Sequence, residues 1–299
     1  MIKQDKCLIC NNLGEEVFNL KFSSDKIEKY FINYYGDKKK IKKILYKIKN
    51  SNYIILKCIK CKFMWQKHRL NSNLQKYLYD ELIDYKSSKN KSLKMYKMQK
   101  VSFKRDFEFL KNYFEDKNLN VLDYGAGWGS WLRSVKDNYH QFYGLEFSKK
   151  RVSFLKKNNI SVINIKKLLK CKNLLHFIRI EQVFEHLDNL NYTLKILKKA
   201  TKKNCILQIS VPNSEILFKK NFHNHFLKKG PAQPLEHLNS FTPTSLNKLL
   251  NKHSFKKLSI YELIKILFSD YNFKVGNLRS FLKIVFYNSN STTLIVKKI

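Results

Sequence analysis

Short apolar blocks set off by polar stretches mark the later part of this 299-residue chain. Asn120 to Tyr124 predicts a strand, followed by a glycine-rich turn and a helix over about Ser130 to Lys136. Gln141 to Glu146, the run beginning at His176, and Cys205 to Asn213 predict three further strands, the His176 run giving way to a polar loop through Leu187. Phe255 to Leu263 and Thr292 to Lys298 read as the last two, with a long aromatic insertion, Ile264 to Tyr287, between them. Strands alternating with helical segments imply an α/β domain with a mostly parallel sheet.

Upstream the pattern differs. Lys38 to Lys49 places Ile41, Ile44, Leu45 and Ile48 on one face of a basic amphipathic helix. Such a helix packs its apolar face on its own module, and its cationic face also suits RNA or an anionic membrane surface. Leu70 to Asn118 is polar and tyrosine-rich, with apolar residues at helical spacing, and reads as a helical linker and then a helix leading into the first strand. The boundaries this implies are a module over 1–69, a linker over 70–99 and an α/β domain over 100–299. In Thr242-Pro243-Thr244-Ser245 a cap precedes a helix carrying Leu246, Leu249 and Leu250.

The chemistry concentrates at Val121-Leu122-Asp123-Tyr124-Gly125-Ala126-Gly127-Trp128-Gly129. Glycines after a strand let the backbone approach a ligand where a Cβ would clash, which makes this turn a cofactor cradle. A dinucleotide fingerprint needs its third glycine where Ser130 stands, so the spacing argues against NAD or FAD. Glu146 ends the next strand, the place from which a carboxylate accepts hydrogen bonds from both ribose hydroxyls.

Charge and cysteines add a second theme. The formal net charge is +36, yet only six of the 59 basic residues are Arg, and specific base or phosphate recognition leans on the Arg fork. Nucleic acid is therefore the less favoured partner, behind a small molecule. Nothing in the chain is apolar for long enough to cross a bilayer, and the first residues lack a signal-peptide core, so the expected location is the cytoplasm. Cys7-x-x-Cys10 and Cys58-x-x-Cys61, with 47 residues between the pairs, have metal-ligand spacing. Four thiolates on Zn²⁺ leave no open position for water, which makes the expected site structural. Asn11 and Lys62 stand where a zinc knuckle usually has glycine.

Asp-Tyr-Gly-Ala-Gly-Trp-Gly from 123, Gly-Leu-Glu from 144, Glu-Gln-Val-Phe-Glu-His-Leu from 181, Ile-Ser-Val-Pro-Asn from 209 and Glu-His-Leu-Asn-Ser-Phe-Thr-Pro from 236 resemble, in order, the motifs of class I S-adenosylmethionine-dependent methyltransferases. The resemblance covers about residues 100 to 299 and implies a Rossmann-like, mostly parallel seven-stranded sheet. It assigns Asp123, Gly125 and Gly127 to the methionine end of the cofactor and Glu146 to its ribose, has Gln182 line the pocket, and counts Tyr124, Ala126 and Gly129 among the cofactor-binding residues. Ile160 to Leu169 contains no acid where the family contacts adenine. The four-cysteine module ahead of such a domain resembles, in layout, nucleotide-sugar C-methyltransferases and related enzymes of surface-polysaccharide pathways.

Methyl transfer is an in-line displacement that needs a base only when the acceptor carries the proton to be lost. His237 is the first candidate, with Glu236 beside it in sequence to tune it, followed by His186, His225 and Glu185. The implied acceptor is a sugar, nucleotide-sugar or other small hydroxylated metabolite. Two alternatives stand beside it: an RNA methyltransferase using the lysine surface, and a non-catalytic zinc-module interaction protein.

Overall fold

A seven-stranded sheet carries the larger of two compact units. The computed structural model describes residues 1–115, 118–218, 226–268, 275–285 and 291–299. The strands are β1 (Asn120–Tyr124), β2 (Gln141–Leu145), β3 (Ser161–Ile163), β4 (Leu175–Glu181), β5 (Thr201–Pro212), β6 (Phe255–Lys257) and β7 (Ser291–Lys298), in the order β3-β2-β1-β4-β5-β7-β6. β1 pairs in parallel with β2 and β4, β2 with β3, and β4 with β5, while β6 and β7 are antiparallel. Every residue of β4 from Leu175 to Ile180 is buried, as expected of a central parallel strand covered on both faces. Phe107, Trp131 and Phe177 pack against one another at the centre of this unit's core.

Two expectations for the C-terminal part change. The strand predicted over Phe255 to Leu263 stops at Lys257, and a helix runs over Ile260–Leu267. The cause is a capping box: Ser259 Oγ accepts from the Glu262 N–H while the Glu262 side chain accepts from the Ser259 N–H. Of the insertion predicted over Ile264 to Tyr287, the described part beyond that helix is a second one, Val275–Val285. Its Leu278, Phe281 and Ile284 pack on the core of the unit.

The smaller unit is built on an antiparallel sheet of Gly14–Lys21, Asn52–Cys58, Met64–Gln66 and Asn239–Ser240. The chain between its first two strands forms the helices Asp25–Tyr35 and Lys38–Ile48, capped by the Ser24 and Asp37 side chains. Ile41, Ile44, Leu45 and Ile48 of the basic helix are all buried, so its apolar face packs on its own module.

The two units are not continuous in sequence: one comprises Met1–Ser88, Phe184–Leu190 and Val211–Leu249, the other Lys89–Val183, Asn191–Ser210 and Leu250–Ile299. Boundaries drawn along the chain at 69/70 and 99/100 do not trace this division, which falls instead inside the helix Tyr85–Lys111. The physical reason is long-range pairing. Asn239 and Ser240 bond to Trp65 and Met64, and the buried Arg69 donates to the carbonyls of Asp188 and Leu238 and to Asn239 Oδ1. Among the described residues no helix is long and apolar enough to cross a membrane.

Candidate active site

The glycine turn leaves β1 at its carboxyl end, and its shape follows from three positive φ angles, at Gly125, Gly127 and Gly129. The N–H groups of Gly125 and Ala126 both donate to the Leu145 carbonyl, which ties the turn to the end of β2. At Gly127 a Cβ would meet nothing closer than the Gly125 carbonyl at 4.0 Å, so the backbone there faces open space. Gly129 has another role: a Cβ would lie 2.6 Å from Leu155 and 3.0 Å from Ile160, so its missing side chain lets the following helix pack. Of the predicted cofactor residues, Gly129 acts in the structure through packing. Tyr124 is buried too, with its hydroxyl held by Thr193.

Glu146 closes this cradle. Its Oε1 accepts from the N–H groups of Phe147 and Ser148, at 2.8 and 2.9 Å, and its Oε2 from Gly127 N–H at 2.9 Å. The carboxylate that was expected to read a ribose thus also fixes the open glycine, with Arg151 3.8 Å from Oε2. Each oxygen has two lone pairs, so Oε2 keeps one for a ligand hydroxyl. The turn and the carboxylate therefore fit a nucleoside-bearing cofactor.

Asp123 lies beneath the turn, buried and 3.5 Å from Arg179 Nη1. Burial pushes its pKa up to about 6, against the pull of Arg179 and with a smaller push from Glu181 and Glu146. Arg179, which also pairs with Glu181 at 3.4 Å and lies over the Trp131 ring, was not foreseen as its partner. The only signal was a lone Arg inside an apolar block. Gln182 follows β4 with φ of 53° and an exposed side chain. Trp128, stacked edge-on against Phe154 and within 5.9 Å of both Lys89 and Arg151, was likewise not singled out.

In the smaller unit the structure brings Glu185, His186 and His237 together, with one ligand-type atom of each within 4.8 Å of the others. The two imidazole rings are 4.8 Å apart and nearly perpendicular. His186 Nδ1 is 2.9 Å from the Glu236 carbonyl and 3.4 Å from the Tyr79 hydroxyl, and its Nε2 lies 3.9 Å from Glu185 Oε1. His237 Nδ1 is buried with no hydrogen-bond partner among the described residues, and burial followed by the nearby His186 lowers the His237 pKa to about 3.

The expected tuning of His237 by the Glu236 carboxylate is not what forms. Glu236 Oε1 accepts instead from Tyr35 at 2.6 Å and Gln233 at 2.7 Å, and it is the main-chain carbonyl of Glu236 that meets a histidine, His186. Glu236 sits in a turn closed by the bonds of its own N–H to the Pro234 carbonyl and of the His237 N–H to the Gln233 carbonyl, and its side chain goes to Tyr35 at the end of the helix Asp25–Tyr35. His225 lies outside the described residues.

The cysteine pairs converge. Sγ–Sγ distances are 3.4 Å for Cys7–Cys61, 3.3 Å for Cys10–Cys58 and 3.8 Å for Cys10–Cys61. Four thiolates on a tetrahedral zinc at 2.3 Å would be about 3.8 Å apart, so the four sulfurs are gathered at nearly the spacing that ion requires. Both turns share one pattern: the N–H after the second cysteine donates to the first cysteine's carbonyl, Asn11 to Cys7 and Lys62 to Cys58. That geometry puts Asn11 and Lys62 at φ of 62° and 60°, the conformation usually given to glycine.

No curated protein matches the sequence. The plantazolicin methyltransferase BpumL, in complex with a pentazolic desmethylPZN analog and SAH, has a TM-score of 0.52 at 14% identity, covering 76% of this chain and 95% of that one. A SAM-dependent methyltransferase from Aquifex aeolicus has a TM-score of 0.46 at 16% identity, with 71% of this chain and 98% of that one covered. One from Archaeoglobus fulgidus has 0.45 at 20%, with 68% and 94% covered. At 14% identity the likeness to BpumL is one of fold. The model of the methyltransferase-domain family matches residues 92–260, more than half of the sequence, and the chain belongs to that family.

Proposed function

We propose that this methyltransferase uses S-adenosylmethionine to methylate a small hydroxylated acceptor, a sugar or nucleotide-sugar of a surface-polysaccharide pathway, with a structural zinc on Cys7, Cys10, Cys58 and Cys61. The observation that carries the cofactor assignment is the pairing of the open Gly127 backbone with the Glu146 carboxylate at the carboxyl ends of β1 and β2. The cofactor, when bound, supplies a methyl group made electrophilic by its sulfonium. Gly127 gives it room, Gly125, where a Cβ would collide with Val183, and Ala126 shape the turn, Glu146 accepts from its ribose, and Asp123, with Arg179, carries charge near its methionine end. Gln182 and Tyr124 complete the proposed set.

His237 is the proposed proton acceptor. Burial keeps the ring neutral at pH 7, and among the described residues its Nδ1 holds no hydrogen bond. His186, fixed by Tyr79 and the Glu236 carbonyl, positions the neighbouring ring. The sugar class rests on the layout of the cysteine module. The protein would work in the cytoplasm.

The test is titration of the zinc-loaded protein with S-adenosylmethionine, repeated on Asp123→Ala and Glu146→Ala, then mass spectrometry of nucleotide-sugars incubated with it. Binding by the wild type that both variants lose, with a one-methyl mass gain on a nucleotide-sugar, is the expected result. A folded wild type that ignores the cofactor would overturn the catalytic reading and favour an interaction protein.

A further inference from the structure

Lysines supply nearly all of the positive charge, and the reaction proposed above gives them no task. Five of them, Lys172, Lys195, Lys198, Lys199 and Lys298, line one cavity of about 480 Å³ with Asn173 as the remaining wall. None of these six residues is acidic. Three of the ammonium groups are held by neutral oxygens: Lys198 by Ser254 Oγ at 2.7 Å, Lys199 by the Leu169 carbonyl at 3.2 Å, and Lys298 by the Thr201 carbonyl and Asn173 Oδ1. Such bonds order the side chains without cancelling their charge. The contrast is one residue away, where Lys297 is neutralised by Glu262 at 2.7 Å.

The charge is felt nearby. Burial lowers the Lys298 pKa and Lys198 adds to the effect, while His253 is lowered by burial and then by Lys252, Lys195 and Lys198. The location excludes a part in methyl transfer. The cavity lies where β4 and β5 begin, after Asn173 and Lys199, and where β7 ends at Lys298. The glycine turn and Glu146 follow the opposite ends of the parallel strands.

We propose that this lysine cavity is a docking site for the phosphate backbone of a single-stranded nucleic acid, bound as a partner and not as the methyl acceptor. Lys without Arg gives point-charge contacts to phosphate with no base reading. Tyr192, half exposed, shares a helical face with Lys195 and Lys199 on Leu190–Ala200 and offers a ring for a base to stack on. A membrane surface would call for apolar side chains around the cations, and the lining has none.

The experiment uses the full chain and a fluorescein-labelled oligouridylate of about 15 nucleotides, near the upper end of the roughly 4–16 nucleotides that one single-strand-binding module occupies. Anisotropy titrations across a salt series compare the wild type with Lys172→Gln/Lys195→Gln, a pair that removes two charges without removing an internal hydrogen bond of the described residues. The control is Lys38→Gln/Lys39→Gln on the basic helix, an equal change of charge. The cavity pair should weaken binding about tenfold and flatten the log–log salt slope by about 1.4, two contacts at about 0.7 each, while the control pair changes it less than about twofold. S-adenosylhomocysteine affinity should stay constant throughout. Equal weakening by both pairs, no binding of the oligonucleotide by the wild type, binding only to vesicles containing phosphatidylserine, or loss of cofactor affinity in the cavity pair would each overturn the proposal.

Discussion

Glu146→Gln separates two duties that one carboxylate performs. In the structure its two oxygens take three backbone N–H groups, from Phe147, Ser148 and Gly127. A glutamine keeps one acceptor oxygen and replaces the other with a donor. Whichever way the amide turns, at least one of those N–H groups then faces an N–H, in a pocket where the side chain is 7% exposed. An unsatisfied backbone donor costs about 1–3 kcal/mol, and this loss falls on the free protein, where it lowers the melting temperature by about 2–10 °C. The second duty is the proposed charge-assisted bond to ribose, worth about 1.5–3 kcal/mol, which weakens cofactor binding by roughly 10- to 150-fold. Calorimetry with S-adenosylhomocysteine and with its 2′,3′-dideoxy analogue reads the second separately. The wild type should prefer the natural ligand, and the variant should bind the two alike. A variant that loses thermal stability yet keeps its affinity and its preference within about threefold would show that Glu146 only caps the turn, and the ribose assignment would be wrong.

The purified protein should carry one zinc per chain, and a strong chelator should lower the melting temperature of the smaller unit, whereas Cys58→Ser should leave the ion substoichiometric by elemental analysis. Lys62→Gly should raise stability by about 0.5–1 kcal/mol in denaturant titration, since a β-carbon at φ of 60° is disfavoured and the Lys62 N–H bond to Cys58 survives the change. His237 gives a pH signature. Its folded-state pKa of about 3 lies below the ordinary 6.5, so the unfolded chain binds the proton better; the stability it confers is whole above pH 6.5 and falls as pH drops toward 3. At pH 5 the loss is about 2 kcal/mol, and His237→Gln should flatten the acid limb of the stability curve by that amount; an unchanged limb would contradict the burial of the ring.

What the sequence made legible was local. The turn from 125 to 129, the acid at 146 and the four apolar residues of the basic helix each declare themselves within about two turns or one strand, because the backbone conformation and the spacing are set by near neighbours. Asn11 and Lys62 mark the edge of that legibility. By residue type they argue against a knuckle, but two hydrogen bonds across each turn hold the left-handed conformation regardless. The helix Ile260–Leu267 is a different case: its short apolar run is ambiguous between strand and helix, and Ser259 with Glu262 three residues on decides for the helix.

The arrangement around the histidines depends on residues far apart in the chain, and no periodicity encodes it. Asn239 and Ser240 form a strand of two residues, too short to show alternation, yet their bonds to Trp65 and Met64 bring the segment after β5 into the smaller unit. Arg69 does the same from the other side. Burial lowers its pKa to about 10, and its partners are mostly carbonyl oxygens, which every residue possesses and which sequence therefore cannot mark. His186 and His237, 51 positions apart, meet because these neutral contacts fix the loops that carry them. A residue's type announced that it was able to take part in chemistry. Which of its neighbours it would work with was decided by main-chain bonds that carry no residue-specific signal, and this is why Glu236 was read as the partner of the histidine next to it while its carboxylate serves Tyr35 and Gln233.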